Sequence, residues 1–197
     1  ESLPYVYSIL KSINMVKPGF DSTMDVTSCP GTTTCNLGIS DSTHTAIELE
    51  KFMAEKYPEL VFNNEIKIKI SGCMNSCGQH ALAQIGFHGS SMKEKATKKV
   101  MPALQVLLGG GVTKDGGGRI SDKIIKIPSR RVLSCLDLIL SEYKNNKSEG
   151  EGFNEYYDRT GKMHFHSLLR PLTDLSTITD EDFIDWGSSG EFVKAIG

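Results

Sequence analysis

The 197-residue chain lacks any apolar run approaching the roughly 18–20 residues that cross a bilayer, so no membrane span is expected. It also lacks a dominant charge. With 22 Lys and Arg against 24 Asp and Glu, the net charge of −2 gives no electrostatic case for binding nucleic acid or a membrane surface. No internal repeat, signal peptide or transit peptide is visible, and the first residue is Glu1 rather than Met. The expectation is an excised piece of a longer cytoplasmic protein, a compartment where free thiols survive. The rest of the composition is ordinary for a soluble globular protein, at 39% hydrophobic and 23% charged residues. That is enough for one substantial core.

Cysteine is scarce, at five residues, yet four of the five fall in two tight pairs. Thr27-Ser28-Cys29-Pro30-Gly31-Thr32-Thr33-Thr34-Cys35 gives C-x5-C. After a gap of 37 residues, Ser71-Gly72-Cys73-Met74-Asn75-Ser76-Cys77-Gly78 gives C-x3-C. Each pair sits beside Gly or Pro, so short loops can bend around an inorganic core in which each iron takes one thiolate. Structural zinc is the main rival, although its cysteines are usually spaced by two to four residues. The odd cysteine count argues against a disulfide framework. Cys135 lies outside the set, within a helical apolar pattern, and reads as a packed core thiol.

Periodicity supplies the frame. Residues 1–20 hold a short amphipathic helix or a linker, broken at Pro18-Gly19. Residues 43–57 read as a helix with an apolar stripe of Ala46, Leu49, Phe52 and Met53, preceded by a cluster of helix-starting residues, Asp41-Ser42-Thr43, and by a Thr45-x-x-Glu48 capping box. Glu65-Ile66-Lys67-Ile68-Lys69-Ile70 alternates strictly and predicts a strand delivering Cys73 at its end. Residues 78–83 suggest a helical turn, 84–88 a strand, and 101–108 a buried strand. Gly86 and Gly89 mark close backbone approach or tight bending. His80 and His88 lie near the cysteines and read as solvated or core histidines rather than ligands. Lys93, Lys95, Lys98 and Lys99 read as a solvated face. Glycines at 109–111 and 116–118 make a hairpin loop into an alternating strand, 119–127. Pro128 opens an amphipathic helix over 129–144, and a polar loop over 144–152 precedes a short helix at 153–159. His164-Phe165-His166 alternates as a strand would, and Thr179-x-x-Asp182 fits a second capping box.

The spacing T-x-C-x-G-x-x-x-C, then S-G-C-x-N-x-C, then Ile85-Gly86-x-x-Gly89 resembles the siroheme-dependent sulfite and nitrite reductase family. The resemblance continues at Gly109-Gly110-Gly111 and at Gly152-Phe153-Asn154-Glu155-Tyr156-Tyr157-Asp158-Arg159-Thr160-Gly161, covering roughly residues 20–165. It implies that Cys29, Cys35, Cys73 and Cys77 hold a 4Fe-4S cluster, with Cys77 also bridging to the iron of siroheme. It implies further that Asn75 supports the bridge, and that the glycine loop and Arg119 meet siroheme carboxylates. The implied activity is multi-electron reduction of sulfite to sulfide, or of nitrite to ammonia, with electrons from a donor such as ferredoxin or a flavoprotein.

The reading is an α+β chain: a twisted mixed or antiparallel sheet with helices packed on it and the cluster loops at the sheet edge. Residues 1–22 are a linker or N-terminal helix, 23–147 a reductase half-domain and 148–197 a C-terminal extension. The family's core has two related halves, of which this resembles the second. The substrate-binding basic residues are expected in the other half, and neither Arg130 nor Lys123 is assigned that role. Such a fragment is expected to be inactive alone, and isolation of it can leave either cofactor behind. A non-catalytic four-cysteine iron–sulfur or zinc module is the alternative.

Overall fold

A computed structural model describes residues 2–95 and 97–193 and contains a five-stranded mixed sheet. Its strands are β1 (Thr27–Ser28), β2 (Ile68–Ser71), β3 (Ile85–Lys93), β4 (Val100–Leu108) and β7 (Asp122–Pro128), neighbours in that order. β1, β2 and β3 run parallel, while β4 is antiparallel to both β3 and β7. Two short strands, β5 (Gly111–Val112) and β6 (Gly118–Arg119), form a separate ribbon. The helices are α1 (Leu3–Ser12), α2 (Ser42–Lys56), α3 (Val132–Asn146), α4 (Phe153–Thr160) and α5 (Lys162–Leu169). This is the α+β architecture that the alternation and stripes imply.

Burial explains the order. Ile66, Ile68 and Ile70 are buried on one side of β2, as their alternation requires, although pairing begins only at Ile68. Ahead of it the Lys67 amide bonds the Gln84 side chain. Onto the same core α2 brings Ala46, Leu49 and Met53, and α3 brings Val132, Cys135, Leu136, Ile139 and Leu140. Residues beyond 148 join this core too. Phe165 is fully buried, with ring centroids of Tyr156 and Tyr157 at 6.1 and 5.6 Å, so α4 and α5 are pinned by aromatic contacts.

Several local expectations are corrected. α2 starts one turn earlier than a Thr45 box allows: Asp41 is its N-cap, accepting the His44 amide at 2.9 Å, while Thr45 is buried and donates back to the Asp41 carbonyl at 2.6 Å. Pro128 closes β7 and is followed by a 3-10 turn, Ser129–Arg131, so α3 begins later. His164-Phe165-His166 is helical, because Phe165 points into the core and His164 is held at the surface by Glu142 at 2.8 Å. β3 extends to Lys93, taking the first lysine of the basic run into the β3–β4 hairpin. The second box, Thr179 with Asp182, is present.

Candidate metal centre

Because β1 and β2 are parallel neighbours, with Ser28 opposite Ile70, their C-terminal ends lie side by side and the two cysteine loops leave from the same edge of the sheet. The loops are tied to each other by backbone. The Gly72 carbonyl accepts the amides of Ile39 and Ser40 at 2.8 and 3.0 Å, and the Cys29 amide donates to the Ile70 carbonyl at 3.2 Å. Within the first loop, the Cys35 amide reaches the Gly31 carbonyl at 2.9 Å. In the second, Ser71 Oγ accepts the Gly78 amide at 3.0 Å.

Glycine is required where these chains cross. Gly31 has φ +57°, and a Cβ on Gly72 would lie 2.6 Å from the Gly31 Cα. A Cβ on Gly89 of β3 would lie 2.1 Å from the Gly72 carbonyl oxygen. The close approach read from Gly89 is therefore made to the second cysteine loop itself. Ser76 and Gln79 bracket Cys77 in left-handed conformation, with φ of 62° and 58°.

The four thiols differ in environment. Cys73 is buried, Cys29 and Cys35 are half-buried and Cys77 is exposed; none forms a disulfide. Cys29 Sγ accepts the Gly72 amide at 3.1 Å and lies 3.4 Å from Ser42 Oγ. Burial alone would push this thiol up. Hydrogen bonds from Gly72, Ser42, Gly31 and its own amide outweigh burial and leave it below its ordinary value. A thiol biased toward thiolate and set among N–H donors suits a metal ligand. Among the described residues, no three His, Cys, Asp or Glu side chains converge on a single ion position. Cys135 stands apart, fully buried in α3, where desolvation pushes its thiol up.

Asn75 is exposed between Cys73 and Cys77. Arg119 is committed to its own chain: Nη1 meets both carboxylate oxygens of Asp158 at 2.7 Å, Nε bonds the Gly109 carbonyl, and the buried Nη2 has no hydrogen-bond partner among the described residues. A Cβ on Gly109, whose φ is +82°, would lie 2.6 Å from the Tyr157 ring, and Asn154 donates to the Gly110 carbonyl at 3.0 Å. The glycine loop at 109–111 and the stretch at 152–161 thus pack on each other. His80 and His88 are buried and in contact, their rings tilted by 45° with centroids 4.8 Å apart. Burial, then the charges of His88 and Lys123, lower His80 to about 4, and burial likewise lowers His88. They are neutral core histidines. Thr33 donates to Asp41 at 3.4 Å, which makes it a turn residue. The contributions of Ser42, Ser71 and the amide of Gly72 were not singled out from sequence; Asp41-Ser42-Thr43 carried only a helix-start signal.

The chain is 26% identical over 178 residues to the sulfite reductase NADPH hemoprotein beta-component of Mannheimia succiniciproducens, covering 88% of this chain and 26% of that protein. It is 31% identical over 160 residues to the protein of the same description from Bacillus subtilis, covering 77% and 24%. It spans about a quarter of the length of these curated relatives. Among solved structures, the NirA protein of Mycobacterium tuberculosis matches with a TM-score of 0.64 at 23% identity, over 83% of this chain and 30% of that one, which is a likeness of fold. The description "Nitrite and sulphite reductase 4Fe-4S domain" fits residues 19–174, which include both cysteine loops, the glycine loop and α4, and the chain belongs to that family.

Proposed function

We propose that Cys29, Cys35, Cys73 and Cys77 hold a 4Fe-4S cluster, with the Cys77 thiolate bridging to siroheme, in one half of a reductase that converts sulfite to sulfide. The observation that carries this reading is the Gly72 amide on Cys29 Sγ at 3.1 Å, because it sets a ligand of the first loop against the residue preceding a ligand of the second. Two loops locked in that way suit a rigid cluster better than two independent turns would. Cys77 is the exposed thiol and follows the left-handed Ser76, a placement that lets its sulfur face a second group outside the loops. When bound, the cluster and siroheme supply the electron storage for the multi-electron step.

This chain's own residues then hold and orient. Gly72, Ser42 and Gly31 stabilise the charge on Cys29, and Gly78 and Ser71 close the second loop. The glycine loop at 109–111 is covered by Tyr157 and Asn154, and Arg119, paired with Asp158, is the donor beside it that would meet a siroheme carboxylate. The basic residues that bind the anion belong to the other half of the reductase, and the electrons come from a donor such as ferredoxin or a flavoprotein. Nitrite reduced to ammonia by the same centre is the second reading, since the family description names both substrates. No described helix is long and apolar enough to cross a membrane, and we place the parent enzyme in the cytoplasm.

The test is the anaerobically purified parent protein, wild type and Cys77→Ser, assayed for iron, acid-labile sulfide, zinc and visible spectrum. Iron with sulfide and a siroheme band, both disturbed by the substitution, is the expected result. Zinc without sulfide or tetrapyrrole would make the four cysteines a structural clasp and end the reductase reading.

A further inference from the structure

The residues after 174 lie beyond the family match, yet they reach back to the first cysteine loop. Asp185 is only 6% exposed, and its Oδ2 accepts the amide of Asp41 at 2.8 Å across 144 residues of sequence. Its Oδ1 is 3.4 Å from the hydroxyl of the fully buried Ser129. Around it, Arg130 donates to the carbonyls of Ile184 and Asp185 at 2.9 and 3.2 Å and stacks on Trp186 at 4.5 Å. The Trp186 indole N–H donates to the Ser129 carbonyl at 3.0 Å. Gly187, at φ +71°, passes so close to His44 that a Cβ would lie 2.4 Å from its ring.

Asp41 is where this matters. Its carboxylate caps α2 through the His44 amide and also receives the Thr33 hydroxyl of the cysteine loop. The next residue, Ser42, donates to the Cys29 carbonyl at 2.7 Å and lies 3.4 Å from Cys29 Sγ. Just before it, Ser40 is fixed to Gly72 and, through its hydroxyl, to Ala103 of β4. Residues 40–42 are thus anchored by the second loop, by the sheet and by Asp185.

We propose that Asp185 is a positioning residue, and that the segment around it is a strap holding the Asp41–Ser42 corner so that Ser42 stays on Cys29. The proposal rests on the reading of Cys29 as a cluster ligand only in its consequence for the cluster; the strap itself is a property of the polypeptide. Arg130, a basic side chain near the site, serves the strap and not the substrate.

The experiment compares wild type, Asp185→Ala and Asp185→Asn. Deuterium exchange on the 197-residue chain reads the amides of residues 39–44 against those of β3 and β4. Asp185→Ala leaves the Asp41 amide without an acceptor, and exchange at 39–44 is expected to rise about tenfold while the central strands are unchanged. Asp185→Asn keeps one acceptor oxygen for the Asp41 amide but sets its NH2 toward the Trp186 amide, which donates to Oδ1 at 3.0 Å, and is expected to bring exchange at 39–44 only part of the way back toward wild type. In the anaerobically purified parent protein, Asp185→Ala is expected to shift the cluster's reduction potential, and Asp185→Asn to shift it less. Unchanged exchange at 39–44 overturns the strap. Faster exchange with an unaltered potential overturns the positioning role. Should Asp185→Ala fail to fold, Trp186→Phe removes one indole bond and is expected to raise exchange at the same amides by about threefold; no rise there overturns the strap equally. A parent protein containing zinc and no sulfide would overturn the cluster assignment while the exchange result stood by itself.

Discussion

Gly89→Ala tests whether the second cysteine loop is held by a backbone contact with the sheet. The added methyl would sit 2.1 Å from the Gly72 carbonyl oxygen and 3.0 Å from the Ser40 amide, against the 3.4 Å at which ordinary contact begins. β3 cannot retreat, because it is hydrogen-bonded to β2 on one side and β4 on the other, with Gly89 itself opposite Leu104. The loop must move, and Gly72 then releases the amides of Ile39 and Ser40. Overpacking costs about 1–3 kcal/mol, and each lost hydrogen bond about 0.5–1.5 kcal/mol, so the loss is about 2–6 kcal/mol. Urea unfolding of the chain followed by the single Trp186 measures it, with Gly118→Ala as control because nothing lies within 4 Å of its Cβ. A Gly89→Ala variant within about 0.5 kcal/mol of that control would refute the account of the loop.

Two further outcomes follow from burial. His80 titrates at about 4 in the folded chain, below its ordinary 6.5, so between those values the unfolded chain binds the extra proton. Stability is therefore expected to fall as pH drops from 6.5 to about 4, by up to about 3 kcal/mol, with His88 adding in the same direction. His80→Leu should flatten that slope in urea titrations at a series of pH values, and an unchanged slope would remove His80 as its source. Cys135→Ser places a hydroxyl in the core and should cost about 1–3 kcal/mol, yet leave the iron content of the parent protein at wild-type level. Loss of iron at unchanged stability would show that Cys135 is a ligand.

What could be read without the fold was what repeats locally. Ile66, Ile68 and Ile70 announce their strand by alternation, and the stripe from Val132 to Tyr143 announces α3, because each pattern is set by the backbone period of a single element. The cysteine loops were legible for the same reason: their spacing is short. Local pattern misled at His164-Phe165-His166, where three residues fit either period and the core contacts of Phe165 decide. It misled again at Thr45, a cap by pattern that is buried one turn inside α2. Asp185 carried no signal at all, since the Asp41 amide it accepts is 144 residues away and a buried carboxylate serving a distant amide has no sequence pattern.

The isoleucine alternation and the metal centre are a single device. Cys29 and Cys73 are far apart in sequence, and what makes them neighbours is the parallel register that sets Ser28 against Ile70 and Ser71 against His88. β1 contributes only two paired residues, too few to define that register by hydrogen bonds alone. The buried set on β2 defines it instead, because a slip by one residue would turn Ile66, Ile68 and Ile70 out of the core and bring Lys67 and Lys69 in. The same slip would carry the Gly72 amide away from Cys29 Sγ and the Gly72 carbonyl away from Gly89. Core packing, through register, thereby fixes a hydrogen bond at a thiol that itself lies outside the core.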